Sequence, residues 1–351
     1  MLDTLALVAA VLVATLTFAS LLPVDWWGIR ALDFPRLQLF VLCLIALAGL
    51  VATHGLAAPP LVLAVEALTL GAAVYQGARI APYTRLWPQQ VRRASSPGPS
   101  FRLLIANVLM DNRDATRLLA QIRSADADVV VLTEPDDWWA DQLKAVHAAY
   151  PHRVEMPQPD TYGMIVLSRL PLIAPEVKRL VEPDIPSVHA QVELDGHRVA
   201  LRFVHPKPPA PQEAESTEER DAELVMVGRE VKRHRGPAIV AGDLNDVAWS
   251  RTTSLFQRIS STLDPRRGRG LFSTFHARHR LMRWPLDHVF HTAHFTLERL
   301  ERLGYNGSDH FPMFVALRLT PREGSTQRTP HAGPGDTQEA QEKVEEARGD
   351  G

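Results

Sequence analysis

The pattern of apolar and polar positions changes character near residue 80. Before that point three apolar runs follow one another, Leu5–Leu22, Leu37–Leu56 and roughly Leu61–Ala78, and the only charged residues among the first 78 are Asp3, Asp25, Arg30, Asp33, Arg36 and Glu66. Each run approaches the ~20 residues with which a helix crosses ~30 Å of hydrocarbon, so three transmembrane helices are expected. Trp26, Trp27, Tyr83 and Trp87 stand just outside the runs, where amphipathic rings settle at headgroup depth. Small residues around Thr17-Phe18-Ala19 would also suit a cleaved signal peptide. The lack of a basic stretch before the first run and the two runs that follow favour an anchor.

Beyond residue 80 the apolar runs shorten. Residues 81–100, which end in the Arg-, Ser-, Pro- and Gly-rich stretch from Val91 to Ser100, are expected to be a linker. Strand-length runs follow at Phe101–Ala106, Val129–Thr133, Met164–Ser168, Val188–Leu194, Val199–Val204, Ala238–Ala241, Leu286–His291 and Met313–Leu319. Helical candidates are Ala115–Ser124, Trp138–Ala149 and Glu213–His234. Strands dominate and do not alternate strictly with helices, which favours an α+β layered sandwich over a doubly wound parallel sheet. Residues 101–320 are expected to form one domain, and residues 321–351, rich in Gly, Pro, Gln, Thr and Glu, a disordered tail.

Composition narrows the class. With 46% apolar residues and a single cysteine, Cys43, the chain is neither a disordered protein nor a disulfide scaffold. The formal net charge of −2 conceals −2 before residue 79, +3 from Arg79 to Thr320 and −3 in the tail. An excess of +3 over the soluble region does not require nucleic acid as its ligand. Arg30, Arg36, Arg79, Arg85, Arg92 and Arg93 all fall on one side of a three-span topology, and the loop from His54 to Pro60 carries no Lys or Arg. The positive-inside bias therefore places an inner-membrane anchor with the large C-terminal part in the cytoplasm. A periplasmic domain is the alternative.

Polar residues gather at the ends of strand candidates, where a rigid sheet can hold reactive groups over one cleft. These are Asn107, Glu134, His205, the Gly242-Asp-Leu-Asn245 segment, Asp287 and the Ser308-Asp-His310 segment. Each alone has an ordinary explanation as a turn or helix-start residue. Together they supply carboxylates, amides and imidazoles without cysteine, a donor set suited to Mg²⁺ or Mn²⁺. Carboxylates, a divalent cation and histidine are what phosphodiester hydrolysis needs.

The order Asn107, Glu134, Leu167-Ser-Arg169, His205, Gly242-Asp-Leu-Asn245, Leu286-Asp-His288 and Ser308-Asp-His310 resembles the endonuclease/exonuclease/phosphatase superfamily, and a bacterial membrane-attached subgroup of it. That superfamily includes deoxyribonucleases, abasic-site endonucleases, sphingomyelinases and inositol-phosphate phosphatases. The resemblance covers Phe101–Leu319 and implies a four-layer α/β/β/α sandwich with its active site at one end of two packed sheets. It implies Glu134 as the principal metal-ligating carboxylate, with Asn107 beside it and Asp309 as a further metal-side group. It implies His310 as the base or phosphate contact, oriented by Asp287, with Asp243 and Asn245 facing the attacking water or the phosphoryl oxygens and His205 as a second imidazole. Where many members have Gln before the metal-binding Glu, this chain has Thr133.

Other polar residues are divided between two roles. Arg266, Arg267 and Arg269 could grip phosphate or form a solvated turn, and Arg169 could contact phosphate or make a structural ion pair. His276 and His279 are expected at the surface, and His288 on the face opposite Asp287. The leading expectation is a membrane-anchored, Mg²⁺-dependent phosphoesterase, with a nuclease favoured. A phosphodiesterase or phosphatase acting on lipid headgroups or small phosphoesters, and a non-catalytic membrane-associated binding module, are the alternatives.

Overall fold

The computed structural model describes residues 2–55, 58–208, 210, 213–324 and 326–349. It divides into two compact units: Met1–Pro88 with Pro209–Thr217, and Gln89–Pro208 with Glu218–Gly351. The first unit holds three long helices, α1 (Leu2–Ala19), α2 (Arg36–His54) and α3 (Pro60–Ile80). Two of them, α2 and the helical stretch that begins with α3, are long and apolar enough to cross a membrane, whereas α1 is shorter. The three-span expectation thus meets the length criterion for two helices; the end of the second expected run, Leu56, lies outside the described residues.

Packing in this unit is small inside and large outside. Ala10, Ala14, Cys43, Ala46, Ala72 and Ala73 are buried in the seams, while Leu5, Val8, Leu12, Ile45, Leu61 and Val74 are exposed. Small residues let helix backbones approach closely. A buried polar chain ties the three helices together at one level. Arg36 pairs with Asp33 and donates to Gln76 Oε1 at 3.0 Å, and Gln76 donates in turn to Thr17 Oγ1 at 3.1 Å.

The second unit is built, in chain order, from β1 (Ser100–Asn107), α4 (Thr116–Ala125), β2 (Val129–Thr133), α5 (Asp137–Leu143), β3 (His152–Met156), β4 (Met164–Ser168), β5 (Ile173–Lys178), β6 (Ser187–Leu194) and β7 (His197–Phe203). Then come α6 (Glu218–His234), β8 (Ala238–Asp243), α7 (Arg251–Ser260), β9 (Asp287–His291), β10 (Phe295–Arg302), β11 (Met313–Leu319) and α8 (Pro334–Arg348). Two mixed sheets result, ordered β10-β11-β1-β2-β4-β3 and β5-β6-β7-β8-β9. The period-two alternation of the strands sorts their side chains into layers. Leu103, Ile105, Val129 and Val131 face Leu201, Phe203, Ile239 and Val289 across the gap between the sheets. Leu104, Ala106, Val130 and Leu132 face outward onto α4 and α5, and Ala200, Val240 and Phe290 onto α6 and α7. This is the α+β sandwich with helices on both outer faces.

Two boundaries differ from expectation. The end of the expected linker is pinned to β10, because Ala94 donates to the Leu297 carbonyl at 2.9 Å and Leu297 to that of Arg92 at 2.8 Å, with Val91 buried. The expected disordered tail contains α8, whose few apolar side chains, Ala340 and Val344, are buried against α6 and α7. Asp336 forms a two-pronged pair with Arg258 at 2.8 and 2.9 Å. Composition alone missed α8 because its docking depends on two apolar residues and a few charges that find partners only in the folded domain.

Candidate active site

Every strand that carries a site residue ends or begins at the same edge of the sandwich. In the first sheet β1 and β2 run parallel with Asn107 opposite Thr133, so Asn107 and Glu134 leave the sheet side by side. In the second, β7 and β8 are parallel, and β9 returns antiparallel with Asp287 opposite Asp243. His205 follows β7, and His310 precedes β11.

Tight turns aim these side chains. Glu134 has φ 63° and Asn245 φ 49°, left-handed conformations for non-glycine residues that the surroundings must impose. The Glu134 amide is held by the Gly163 carbonyl at 2.9 Å. Gly242 has φ 147°, and a Cβ there would fall on the carbonyl oxygen of Val204, so only glycine lets β8 approach the end of β7 closely enough to present Asp243 beside His205. The Asp243 carboxylate accepts the Asn245 amide at 3.0 Å, closing the turn.

The buried heart of the site is a chain of contacts between the sheets. Asn107 donates through Nδ2 to Glu134 Oε1 at 2.6 Å and to Asp243 Oδ2 at 3.2 Å. His310 Nδ1 sits 2.8 Å from Asp287 Oδ2, while Nε2 faces Asp243 Oδ2 at 3.5 Å. His205 Nε2 approaches the same Asp243 oxygen at 4.0 Å. Phe275 packs on the His310 ring at 5.0 Å between centroids, and Tyr162 on His205 at 5.9 Å. Asn107, Asp243, Asp287, His205 and His310 are buried, whereas Glu134, Asn245 and Asp309 are partly exposed and form the open side.

Electrostatics follow from crowding acids into a desolvated pocket. Burial pushes Glu134 up to about 7, against the pull of its Asn107 hydrogen bond and the His310 charge, with Asp243 and Asp309 adding to the rise. Burial opposes a charge on His310, yet Asp243 and Asp287 outweigh it and hold the ring protonated, with its pKa pushed up to about 10. Burial would also raise Asp243, but the two imidazoles and the hydrogen bonds from Asn245 and Asn107 bring it below the usual carboxylate range. One ligand atom each from Asp243, Asp287 and His310 lie within 4.8 Å of one another. An excess of hard oxygen donors, with one carboxylate that burial leaves close to taking a proton, fits a divalent cation.

Several expected roles need correction. Arg169 lies at the opposite end of β4 from Glu134, where it pairs with Asp126 and stacks over Tyr150; it is the structural ion pair. Arg266 is fully buried and cannot reach solvent or substrate. It pairs with Asp264 at 2.8 Å, and donates to the Asp287 carbonyl at 3.2 Å and to the His288 ring at 2.6 Å. It supports the backbone beneath Asp287. Arg269 is spent on the carbonyls of Pro265 and Val91 and on Gln89. The Asn245 side-chain amide binds the Pro206 carbonyl at 3.0 Å, which fixes the loop after His205. His288 turns away from the cleft, as expected, and donates through Nε2 to the Asp246 carbonyl at 2.8 Å.

Of three supporting groups, the sequence singled out Ser308 within its segment and did not reveal Thr274 and Arg220. The Thr274 hydroxyl accepts the Asp287 amide at 3.2 Å, the Ser308 hydroxyl accepts the His310 amide at 3.0 Å, and Arg220 donates to the Asn245 carbonyl at 3.1 Å. Only Ser308 carried a signal, its place two residues before His310, where a hydroxyl can cap a backbone N–H.

Similarity to known proteins agrees with this fold. A UPF0294 protein of Yersinia enterocolitica is 39% identical over 100 residues, 27% of this chain and 35% of that protein. A UPF0294 protein of Vibrio parahaemolyticus is 24% identical over 244 residues, 65% of this chain and 81% of that one. Among solved structures, D. rerio TDP2 complexed with a single-strand DNA product has a TM-score of 0.52 at 17% identity, covering 62% of this chain and 99% of that one. An endonuclease/exonuclease/phosphatase from Beutenbergia cavernae has a TM-score of 0.52 at 21% identity, covering 63% and 72%. At such identities these likenesses describe the fold. The model of the endonuclease/exonuclease/phosphatase family matches residues 104–310, a span that starts in β1 and ends on His310. With more than half of its residues inside that match, the chain belongs to the endonuclease/exonuclease/phosphatase family, whose members are phosphoester-hydrolysing enzymes.

Proposed function

We propose that this chain is a membrane-anchored, divalent-metal-dependent phosphodiesterase in which water attacks phosphorus in line, without a covalent enzyme intermediate. The observation that carries it is His310 held between Asp287 and Asp243, with Glu134 and Asn107 adjoining through the same hydrogen-bonded chain. Glu134, Asn107 and Asp309 would hold Mg²⁺ or Mn²⁺, with Asp243 at its margin; when bound, the ion offsets charge on the phosphoryl oxygens. Asp287 fixes the His310 tautomer and orients the ring. His205 and the protonated His310 present N–H groups to the phosphoryl or leaving oxygen, to which His310 can give its proton, while the ionised Asp243 faces the attacking water and takes the proton that water loses.

Nucleic acid is the leading substrate class, supported by TDP2, which shares the fold and is complexed with a single-strand DNA product. A lipid headgroup or small phosphoester is supported by the apolar helices, since an anchor with large side chains turned outward would keep the domain beside a bilayer. Hydrolysis by the full-length protein in detergent, with Mg²⁺ or EDTA, is to be measured on plasmid DNA, RNA, sphingomyelin and bis-p-nitrophenyl phosphate. Equal inactivity of wild type and His310→Ala on all four would overturn the proposal. For the orientation, the clustered arginines support a cytoplasmic domain, and a C-terminal reporter active only in the periplasm would reverse it.

A further inference from the structure

Outside the catalytic cleft a second buried polar network joins the C-terminal helix to the site. We propose that α8 is a working part of the active site: Lys343 positions Asn245 through Asp221 and Arg220. This rests on the phosphodiesterase function proposed above. α8 lies beyond the family match, which ends at residue 310. From it Lys343, itself buried, donates through Nζ to Asp221 Oδ2 at 2.7 Å, and the Thr252 hydroxyl meets the same oxygen at 2.9 Å. The other oxygen, Oδ1, accepts both Nε and Nη2 of Arg220, at 3.1 and 2.8 Å. That leaves Nη1 of Arg220 for the Asn245 carbonyl at 3.1 Å, while Nη2 lies 3.8 Å from Asp246 Oδ2.

The division of Asp221 between two cations is the device. A guanidinium opposite a carboxylate prefers two parallel bonds, one to each oxygen. Here Lys343 and Thr252 occupy Oδ2, so both of the guanidinium's donors are confined to Oδ1 and its remaining edge points at the Asn245 carbonyl. Without the ammonium, Oδ2 keeps the Thr252 hydroxyl but loses its cationic partner, so Arg220 is drawn toward it and Nη1 moves off the carbonyl. The turn it would release is the one that needs outside support, because Asn245 is left-handed and its amide closes onto Asp243. Lys343 and Arg220 are thus positioning residues, acting through Asn245 and Asp243.

The test uses the full-length protein in detergent, with Lys343→Met, which keeps the side chain's bulk without its charge, and Lys343→Arg, which keeps the charge. With bis-p-nitrophenyl phosphate and Mg²⁺, Lys343→Met is expected to lower kcat by about 10- to 100-fold, with KM nearly unchanged. Hydrogen exchange should accelerate in the peptide spanning residues 242–247 and stay unchanged in β1 and β2, and Lys343→Arg should restore both properties. Arg220→Lys keeps a charge on Asp221 but lacks the second arm, so it should loosen the same peptide should Lys343→Met fail to fold. Wild-type exchange at 242–247 in Lys343→Met, or a loss of kcat that Lys343→Arg does not rescue, would overturn the proposal. A wild type that hydrolyses none of the phosphodiesters overturns the proposed function instead, and the exchange measurement still decides whether α8 holds the turn.

Discussion

Replacing Gly242 by alanine is the sharpest single perturbation of this site. The new methyl would lie on the Val204 carbonyl oxygen, 3.0 Å from that residue's carbonyl carbon and 3.2 Å from its amide nitrogen, so the end of β8 must back away from the end of β7. Relief of the overlap requires a shift of about 1 Å, and a misplacement of that size at reacting groups costs about 100-fold in rate. The φ of 147° adds a conformational penalty of roughly 1–3 kcal/mol and overpacking another 1–3 kcal/mol. At roughly 2–4 °C per kcal/mol for a domain of this size, Tm should fall by about 4–24 °C. Gly196 supplies the control: its φ is 75°, but a Cβ there meets nothing within 4 Å, so Gly196→Ala carries the conformational cost without the clash. The assay is turnover of bis-p-nitrophenyl phosphate below both melting temperatures, paired with thermal unfolding in detergent. Wild-type turnover by Gly242→Ala, or an equal loss in Gly196→Ala, would refute the assignment of close β7–β8 approach to catalysis.

Asp287→Asn should lower kcat about 10²–10⁴-fold while leaving Tm near wild type, since it removes the charge that orients His310 but keeps the bulk; retention of a tenth of the activity would exclude the pair from the chemistry. Arg169→Ala is expected to leave turnover unchanged and to cost at most about 1 kcal/mol of stability, as for other exposed ion pairs, and a tenfold loss of kcat would return Arg169 to the substrate. Glu223 is buried with one oxygen lacking a hydrogen-bond partner, and burial together with the Glu182 charge pushes it up to about 8. Its folded-state pKa exceeds the unfolded one, so its full contribution is present below about pH 4.5 and is lost as pH rises to 8, on the order of 3–4 kcal/mol. Denaturant unfolding at pH 5 and pH 8 should therefore show a shallower pH dependence in Glu223→Gln than in wild type, and identical slopes would contradict the protonated carboxyl.

The buried strands were legible in the sequence because strand-length stretches rich in apolar residues mark them, nearly unbroken in β2, β4 and β8 and alternating in β6, and all eight became strands of the sandwich. The three strands that were missed, β3, β5 and β10, alternate or carry charge: Glu155, Glu176 and Arg299 face water on strands at or near sheet edges. The polar residues of the site were found because they sit at strand ends in a distinctive order. Their supports were not, since Arg220 and Lys343 look like ordinary charges on polar helices until folding buries them. Arg266 misled for the converse reason: an arginine in a Gly-rich loop suggests an anion site, and only the fold shows Asp264 already filling its fork.

His310 hangs from the sheet that contains β11, while Asp287 opens β9 in the other, so the 2.8 Å bond between them spans the two halves of the sandwich. The pair therefore works as a vernier: a slide of one sheet over the other too small to expose any core residue would still break it. Mild damage away from the cleft, such as trimming Val129 or Leu103 in the shared interior, should silence turnover at temperatures where the fold still stands. In such an enzyme inactivation precedes melting, and the gap between the two temperatures measures the stiffness of the interior.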